Sequence, residues 1–342
     1  MNLDSTSGLH LRQLRVRLGT VVALNDVSFR IAPGEHLAIV GPSGAGKTTL
    51  LRAVAGLLRP HYGTVTWNHE IWSDATGGDW VRPENRRIGM IAQSLALWPH
   101  LTAHEHLTFV LKHRRVPREK RDSEARQLLE RVHLSHRAGH RPAQLSGGEA
   151  QRLAFARSLA GGSRLLLLDE ALGQLDPDLR RSLAADLGRV ARQSGATILH
   201  VTHHPPDAMN LADRIAVLEG GRLTQLAEPD RLRAAPATRF IALLTGRTNL
   251  VPAAQASGFC DALKIGREER ELITLPEGLL AFSPDDLVLA ANGAEARVVG
   301  RSYSGERWLL EVEVRGIRIA VCAGPSPHLT GTVRIVLATP AR

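Results

Sequence analysis

The sequence predicts an α/β domain built on a parallel sheet, followed by a smaller all-β domain. Three observations carry this prediction. An apolar run at 36–40 leads through a glycine-rich loop into a helical pattern, and a second strand, helix and strand follow between 164 and 201. Strands that alternate with helices are typical of parallel sheets. Beyond residue 247, short strands with period-two alternation take over, and the 342 residues are enough for two cores.

Composition excludes several classes of protein. No apolar run approaches the roughly 18 residues of a membrane-spanning helix, and the N-terminus lacks the pattern of a signal peptide, so we expect a cytosolic protein. The formal charge of +9 is compatible with a nucleic-acid surface, but only four of the 43 basic residues are lysines. Because an arginine-rich composition accounts for most of this charge, we expect no nucleic-acid partner.

Local patterns define the elements in order. Segments 9–18 and 27–31 alternate as strands do, and 47–58 reads as a helix after the glycine loop. Apolar residues at helical spacing between 101 and 140 predict a helical insertion. We expect a first domain over 1–245 and a second over 246–342.

The clearest strand pattern of the second domain is a hairpin. Leu310, Val312 and Val314 share one strand face, and Ile317, Ile319 and Val321 share another across the turn Arg315-Gly316. This alternation predicts a small barrel or sandwich.

The stretch "GPSGAGKTT" at 41–49 is a phosphate loop, placed between an apolar strand and a helix as the motif requires. Glycines let backbone N–H groups approach phosphate oxygens, Lys47 reaches the β and γ phosphates, and the Thr48 hydroxyl is a ligand for Mg²⁺. The pattern therefore predicts a nucleoside triphosphate site. Its binding residues are Gly41, Ser43, Gly44, Gly46, Lys47, Thr48 and Thr49.

Two further strand ends carry candidate catalytic groups. Asp169 ends the run "RLLLLD", where it can hold the metal, and Glu170 follows it. Such a pair is also common where a strand end is merely solvated, but beside a phosphate loop we expect Glu170 to polarise the attacking water. His203 in "VTHH" ends the next strand, within reach of the γ-phosphate, although a single histidine among 15 is a weak signal.

Residues 144–161, "QLSGGEAQRLAFARSLAG", look like a second helix N-terminus able to receive a phosphate. Taken with the motifs "GPSGAGKTT", "GMIAQSLALWPHLT", "LLLLDEALGQLD" and "VTHH", this stretch resembles the ATP-binding subunit of an ABC transporter. The resemblance implies an ABC-type P-loop fold with antiparallel β and helical subdomains, the latter at about 94–160. The β-rich tail resembles the OB-like accessory domain of importers for sugars, sulfate, polyamines or ferric iron.

The resemblance also implies roles and partners. Gln93 would reach the metal and contribute to catalysis, and residues 172–176 would cross between subunits. Two copies would meet head to tail, so that Ser146, Gly147 and Gly148 of one subunit close on the ATP held by the loop of the other. A second N-terminus adds N–H donors and a positive dipole end to the γ-phosphate.

The predicted function is therefore that of an ATPase subunit at the cytoplasmic face of the membrane. It would be a peripheral homodimer that uses ATP and Mg²⁺ to drive integral membrane permeases, with an extracytoplasmic solute-binding protein as a further partner. The alternative is a soluble ABC ATPase of DNA repair or translation, but this chain has one cassette and lacks a long coiled-coil insertion. The sequence does not identify the cargo.

The sequence differs from the usual family pattern at two places. Ala171 and the run "GQLD" at 173–176 replace the usual Pro and "SALD", which bears on communication between subunits. Leu18 stands where an aromatic side chain usually stacks on adenine. Either base recognition is loose, or another aromatic residue, Phe29 or Trp67, fills the gap.

Overall fold

The computed structural model describes residues 7–92, 94–170, 180, 188–190, 192–265, 274–276, 278–303, 308–323 and 332–337. These residues form two compact units, Met1–Pro229 and Asp230–Arg342. None of the helices within the described ranges has the length and apolar character needed to cross a membrane. The domain boundary at 245/246 stays a prediction.

The first unit contains an antiparallel sheet and a mainly parallel one. The antiparallel sheet has the order β2-β1-β4-β5 and consists of β1 (Leu9–Leu18), β2 (Val21–Ile31), β4 (Tyr62–Trp67) and β5 (Glu70–Asp74). The second sheet has the order β10-β9-β3-β8-β7-β6 and consists of β3 (His36–Val40), β6 (Ile88–Ile91), β7 (Leu165–Asp169), β8 (Thr197–Val201), β9 (Arg214–Glu219) and β10 (Arg222–Ala227).

All neighbouring strands of the second sheet run parallel except β9 and β10. Strand β3 lies near its centre, and every residue of β3 and β8 is buried, which explains their continuous apolar character. Helix α1 (Lys47–Ala55) follows β3 and packs its apolar face into the core between the two sheets. The prediction of an α/β fold with a parallel sheet is confirmed.

A helical subdomain follows β6. It consists of α2 (Ala103–His113), α3 (Arg118–Arg131) and α4 (Gly147–Ala160). Leu107, Leu129 and Phe155 from the three helices share one apolar core, so the predicted helical insertion is present. Thr102 caps the N-terminus of α2 and forms a reciprocal capping box with Glu105. Beyond β8 lies α5 (Pro205–Leu211). The predicted subunit-crossing loop 172–176 falls outside the described residues.

The second unit is built on an antiparallel sheet of order β15-β14-β13-β16. Its described elements are α6 (Pro229–Ala234), α7 (Arg239–Leu244), β11 (Asn249–Val251), α8 (Ala253–Leu263), β12 (Leu280–Phe282), β13 (Leu287–Tyr303), β14 (Trp308–Val314), β15 (Ile317–Ala323) and β16 (Thr332–Leu337). The predicted hairpin is β14–β15, with Val312 opposite Ile319. The face predicted from Leu310, Val312 and Val314 is buried.

Candidate nucleotide site

The phosphate loop joins β3 to α1. At two positions of this loop, only glycine fits the space that the surrounding backbone leaves. Gly46 caps α1 with a φ of 95°, and a Cβ added there would lie 2.4 Å from the carbonyl oxygen of Ala23. A Cβ on Gly41 would lie 2.1 Å from the carbonyl oxygen of Leu218. The loop is therefore fixed by close backbone contacts, and no side chain caps the N–H groups at the start of α1.

Lys47 lies inside this loop, with only 9% of its surface exposed. Its Nζ donates to the carbonyl oxygens of Gly41 at 2.8 Å and Pro42 at 2.9 Å. Burial lowers the pKa of Lys47, while the charges of Glu170 and Asp169 oppose that shift. The ammonium group is thus held at the mouth of the loop, where a phosphate offers oxygens that compensate its lost hydration.

Thr48 and Asp169 bring two oxygen donors together. The Thr48 hydroxyl donates to Asp169 Oδ1 at 3.4 Å. Burial and the neighbouring charge of Glu170 raise the pKa of Asp169. A hydroxyl beside a partly buried carboxylate fits the hard-oxygen preference of Mg²⁺. Gln93, the third predicted metal ligand, lies outside the described residues.

Glu170 and His203 meet where β7 and β8 end. The Glu170 N–H donates to the carbonyl of Val201 at 2.9 Å, and its Oε1 lies 3.4 Å from His203 Nδ1. Glu170 has a φ of 51°, which few residues other than glycine adopt. Such backbone strain is concentrated at functional sites, where it aims a side chain. The parallel pairing of β7 with β8 explains why sequence-distant groups converge.

These residues surround one cleft of about 740 Å³. Most of the residues predicted from sequence line it: Gly41, Ser43, Gly44, Gly46, Lys47, Thr48, Thr49, Glu170 and His203. Asp169 reaches the same region through Thr48. The cleft therefore brings together the phosphate-loop residues, the predicted metal ligands Thr48 and Asp169, and the predicted catalytic residues Glu170 and His203.

One wall of the cleft is aliphatic. Leu18, Val21 and Val22 line it with 48%, 64% and 44% of their surfaces exposed. Among the described residues that line the cleft, none is phenylalanine, tyrosine or tryptophan. Phe29 is buried in the core, and the Trp67 ring stacks on Trp72 at 5.9 Å. Neither of the two aromatic residues suggested by the sequence lines the cleft.

The second predicted phosphate contact lies elsewhere. Ser146 caps α4: its hydroxyl accepts from the Glu149 N–H at 3.3 Å, and the Glu149 carboxylate accepts from the Ser146 N–H at 2.8 Å. Ser146 and Gly147 are exposed, Gly148 is buried, and none of the three is among the residues lining the cleft.

Glu149 and Arg137 complete this helix start, and sequence reasoning missed both. Arg137 Nε donates to Glu149 Oε1 at 2.9 Å. The Ser146 N–H and then the Arg137 guanidinium lower the pKa of Glu149 to about 2. The signal for Glu149 was present as the spacing S-x-x-E, which is a capping box. No comparable pattern marks Arg137.

Fold and cleft together define a P-loop nucleotide-binding protein with a helical insertion. The family described as ABC transporter matches residues 24–173. A spermidine/putrescine import ATP-binding protein, PotA of Acidothermus cellulolyticus, is 38% identical over 80% of this chain and 71% of its own length. CysA of Caulobacter vibrioides, a sulfate/thiosulfate import ATP-binding protein, is 35% identical over 95% of this chain and 96% of its own length.

A solved structure agrees with these relatives. The dimeric ATP-binding cassette MJ0796, bound to ADP and Pi, shares 29% identity with a TM-score of 0.56, over 65% of this chain and 98% of that one. The chain belongs to the ABC transporter family and is an importer-type, ATP-binding ATPase of that family. The relatives support this interpretation over a soluble ATPase of DNA repair or translation.

Proposed function

We propose that two copies of this chain hydrolyse ATP at sites shared between them and thereby power import of a small solute or ion through membrane permeases. The observation that carries the proposal is the convergence of Lys47, Thr48, Glu170 and His203 on one cleft. The exposed start of α4 supplies the second half of each site.

The loop and α1 hold the triphosphate. Lys47 exchanges its bonds to loop carbonyls for phosphate oxygens, and the first N–H groups of α1 add a positive dipole end. Thr48 and Asp169 would hold Mg²⁺, with Gln93 as a further ligand. When bound, this ion neutralises charge that develops on the phosphate oxygens.

Glu170 accepts the proton of the attacking water. It stands at the end of β7 with its carboxylate open to the cleft, and its left-handed backbone aims it there. His203 Nδ1 lies 3.4 Å from the carboxylate, so the ring orients Glu170 in the tautomer that carries the proton on Nδ1 and donates to the γ-phosphate in the other. Both groups are polar side chains of a water-accessible cleft, which suits the capture of a water molecule.

The head-to-tail dimer gives residues 146–148 their role. Ser146 and Gly147 are exposed although they begin a helix whose remainder is largely buried. Placed against the cleft of a second copy, this helix start supplies N–H donors to a γ-phosphate that the phosphate loop covers from one side only. The dimeric form of the related cassette MJ0796 supports the formation of a dimer.

Membrane partners follow from the import class. We assign the helical subdomain, about 94–160, as the surface that docks on the permeases, and the chain as a peripheral protein of the cytoplasmic membrane face. A solute-binding protein outside the cytoplasm would deliver the cargo. The relatives are named as ATP-binding proteins for the import of spermidine and putrescine, of trehalose and maltose, and of sulfate and thiosulfate. The proposal therefore extends to a small solute or ion and to no single cargo.

Replacement of Glu170 tests the proposal. Glu170→Gln keeps the shape of the side chain and removes its basicity, so ATP turnover falls by about 100-fold or more while ATP binding persists. The variant accumulates as an ATP-bound dimer, measured by light scattering with and without ATP. Glu84→Gln, at an exposed carboxylate outside the cleft, is the matched control and keeps parental turnover. Near-normal turnover of Glu170→Gln contradicts the proposal.

A further inference from the structure

The backbone that follows Gln93 has an unusual conformation. Leu95 and Ala96 both lie in the left-handed region, with φ values of 56° and 46°. Each such residue costs on the order of 1 kcal/mol or more, and two in succession persist only where neighbouring groups hold them. Residues 94–98 form this turn. The side chains that hold it are different from those assigned to phosphate binding.

Arg157 of α4 provides the first of these contacts. Its Nη2 donates to the Leu95 carbonyl at 2.9 Å, and its Nη1 donates to the Ala96 carbonyl. The guanidinium carbon also lies 5.4 Å from the ring centroid of Trp98. A planar fork of donors suits two adjacent carbonyls, so one side chain holds both left-handed residues and the aromatic residue at the end of the turn.

His106 of α2 provides a second anchor. Its Nε2 accepts from the Trp98 N–H at 2.9 Å, and its Nδ1 lies 2.7 Å from the Thr102 carbonyl oxygen. Because a backbone N–H only donates, the proton of the neutral ring must lie on Nδ1. His106 is fully buried, and burial lowers its pKa, which favours this neutral form. The turn is thus fixed to two helices.

Helix α4 connects this turn to the proposed ATP contact of the partner. It begins at the Ser146 cap, and Arg157 lies 11 positions further along, about 16 Å at the helical rise. Leu153, Ala154, Phe155 and Ala156 between them are fully buried. A buried helix moves as a unit, so displacement of its exposed start reaches the Arg157 guanidinium.

We propose that Arg157 is a positioning residue that couples ATP closure at residues 146–148 to the turn 94–98 and hence to Gln93. The inference rests on the proposed function. When residues 146–148 close on the ATP of a partner subunit, α4 shifts and Arg157 carries the two carbonyls with it. Occupancy at one end of α4 therefore changes the conformational equilibrium of the turn, and the turn changes that of the helix start.

Hydrogen exchange tests this coupling in the full chain. In a Glu170→Gln background, ATP is expected to slow amide exchange in both 146–152 and 94–101. Adding Arg157→Met, which keeps the apolar stem, preserves the ATP-dependent protection of 146–152 and reduces that of 94–101 by about tenfold, because two charge-assisted bonds are lost. Arg157→Lys reaches one carbonyl at a time and gives an intermediate loss.

Arg114→Met is the matched control. Arg114 also contacts α4, at the Ala160 carbonyl 3.4 Å away, but it does not hold the turn. This variant is expected to keep the ATP-dependent protection from amide exchange in both 146–152 and 94–101. Undiminished protection of 94–101 in Arg157→Met overturns the coupling alone. Should Arg157→Met fail to fold, undiminished protection in Arg157→Lys overturns it. Absence of ATP-dependent protection at 146–152 in the parent overturns the proposed dimer site, and the coupling with it.

Discussion

Helices α1 and α4 are both assigned phosphate at their N-termini, yet they begin in opposite ways. Gly46 starts α1 in a left-handed conformation without any side-chain cap, and Lys47 lies within the cleft. Ser146 starts α4 with a reciprocal capping box, reinforced by Arg137, outside the cleft. The first start leaves its donors to a ligand. The second is satisfied by side chains of its own subunit, and it is exposed where a nucleotide bound by another subunit could reach it.

At their C-terminal ends the contrast is reversed: α1 is held by several side-chain hydrogen bonds and α4 by a long one. Arg86 is buried, and its Nη1 donates to the carbonyls of Ala53 at 3.0 Å and Val54 at 2.7 Å, two of the last three carbonyls of α1. Its other donors bond the carbonyls of Val81 and Trp72. At the end of α4, Arg114 makes a single bond of 3.4 Å to Ala160. Helix α1 is therefore held at its far end, and α4 at its start.

The largest expected effect is on α1. Arg86→Met removes four side-chain hydrogen bonds to backbone carbonyls, of which only those of Ala53 and Trp72 have a further backbone donor among the turn and cap bonds of the described residues, and it should lower the free energy of unfolding by about 3 kcal/mol. Arg114→Met, the matched change at α4, should cost less than about 1 kcal/mol, since its bond is long and single. Urea denaturation of both variants measures the difference. Equal losses would remove the contrast between the two helix ends.

Acid should weaken the strands beneath α1 before it weakens the cap of α4. Burial, aided by the Arg192 charge, lowers the pKa of His36 to about 4, and burial, aided by His36, lowers that of His200 to about 3. Unfolding exposes both rings, so the unfolded chain binds more protons. Their stabilising effect is complete above pH 6.5, the ordinary value, and is lost as the pH falls toward 4 and 3.

The loss for this pair should approach about 3 kcal/mol per pH unit below pH 6, because each of the two protons contributes about 1.4 kcal/mol. Glu149 behaves differently, because its pKa of about 2 preserves its contribution until the pH falls below 4.5. Unfolding free energies measured from pH 7 to 4 check this order. The double variant His36→Phe/His200→Phe should flatten the slope between pH 6.5 and 4.5, and an unchanged slope would contradict the account.

A smaller effect is expected at the cap of α4. Ser146→Ala removes the hydroxyl that accepts from Glu149 and should cost about 1 kcal/mol of stability. Ser123→Ala, on the exposed face of α3, is the control and should be within about 0.5 kcal/mol of the parent. Thermal unfolding distinguishes them. If Ser146→Ala left the stability unchanged, Glu149 and Arg137 would hold the helix start without the Ser146 hydroxyl.

The smallest effect concerns the base. With Leu18 on an aliphatic wall, adenine gains only apolar contact, whereas a tyrosine ring contributes roughly 0.5–1.5 kcal/mol more by stacking. Leu18→Tyr should therefore tighten ATP binding by about two- to tenfold, and the parent should accept GTP nearly as well as ATP. Titrations at equal salt and Mg²⁺ measure both. A parent that strongly prefers ATP would require another adenine contact.

Much of the cleft could be predicted because each part has a local signature. The phosphate loop is contiguous in sequence, and Glu170 and His203 each follow an apolar strand. Parallel pairing of β7 with β8 then brings their ends together. The hairpin of the second unit could also be predicted, because apolar residues recur at every second position along both strands, and Val312 lies opposite Ile319.

Other features depend on contacts between distant segments and have no such signature. Arg86 and Arg157 act on carbonyls 32 and 62 positions away, and an arginine-rich chain gives no hint which guanidinium is buried. The capping role of Glu149 was legible as S-x-x-E, but its partner Arg137 was not. The adenine contact was left between Leu18, Phe29 and Trp67 because burial of an aromatic strand residue cannot be read from one sequence.

The contrast between the two helix starts is tested most directly by ATP titration of monomers at protein concentrations below those at which ATP drives dimer formation. Lys47→Ala should lower ATP affinity by about 100-fold, because charge-assisted bonds to phosphate are lost. Ser146→Arg should leave monomer affinity within about twofold of the parent, since Ser146 does not line the cleft, while abolishing ATPase activity. If Ser146→Arg weakened monomer binding as strongly as Lys47→Ala, the assignment of the two helix starts to different subunits would be wrong.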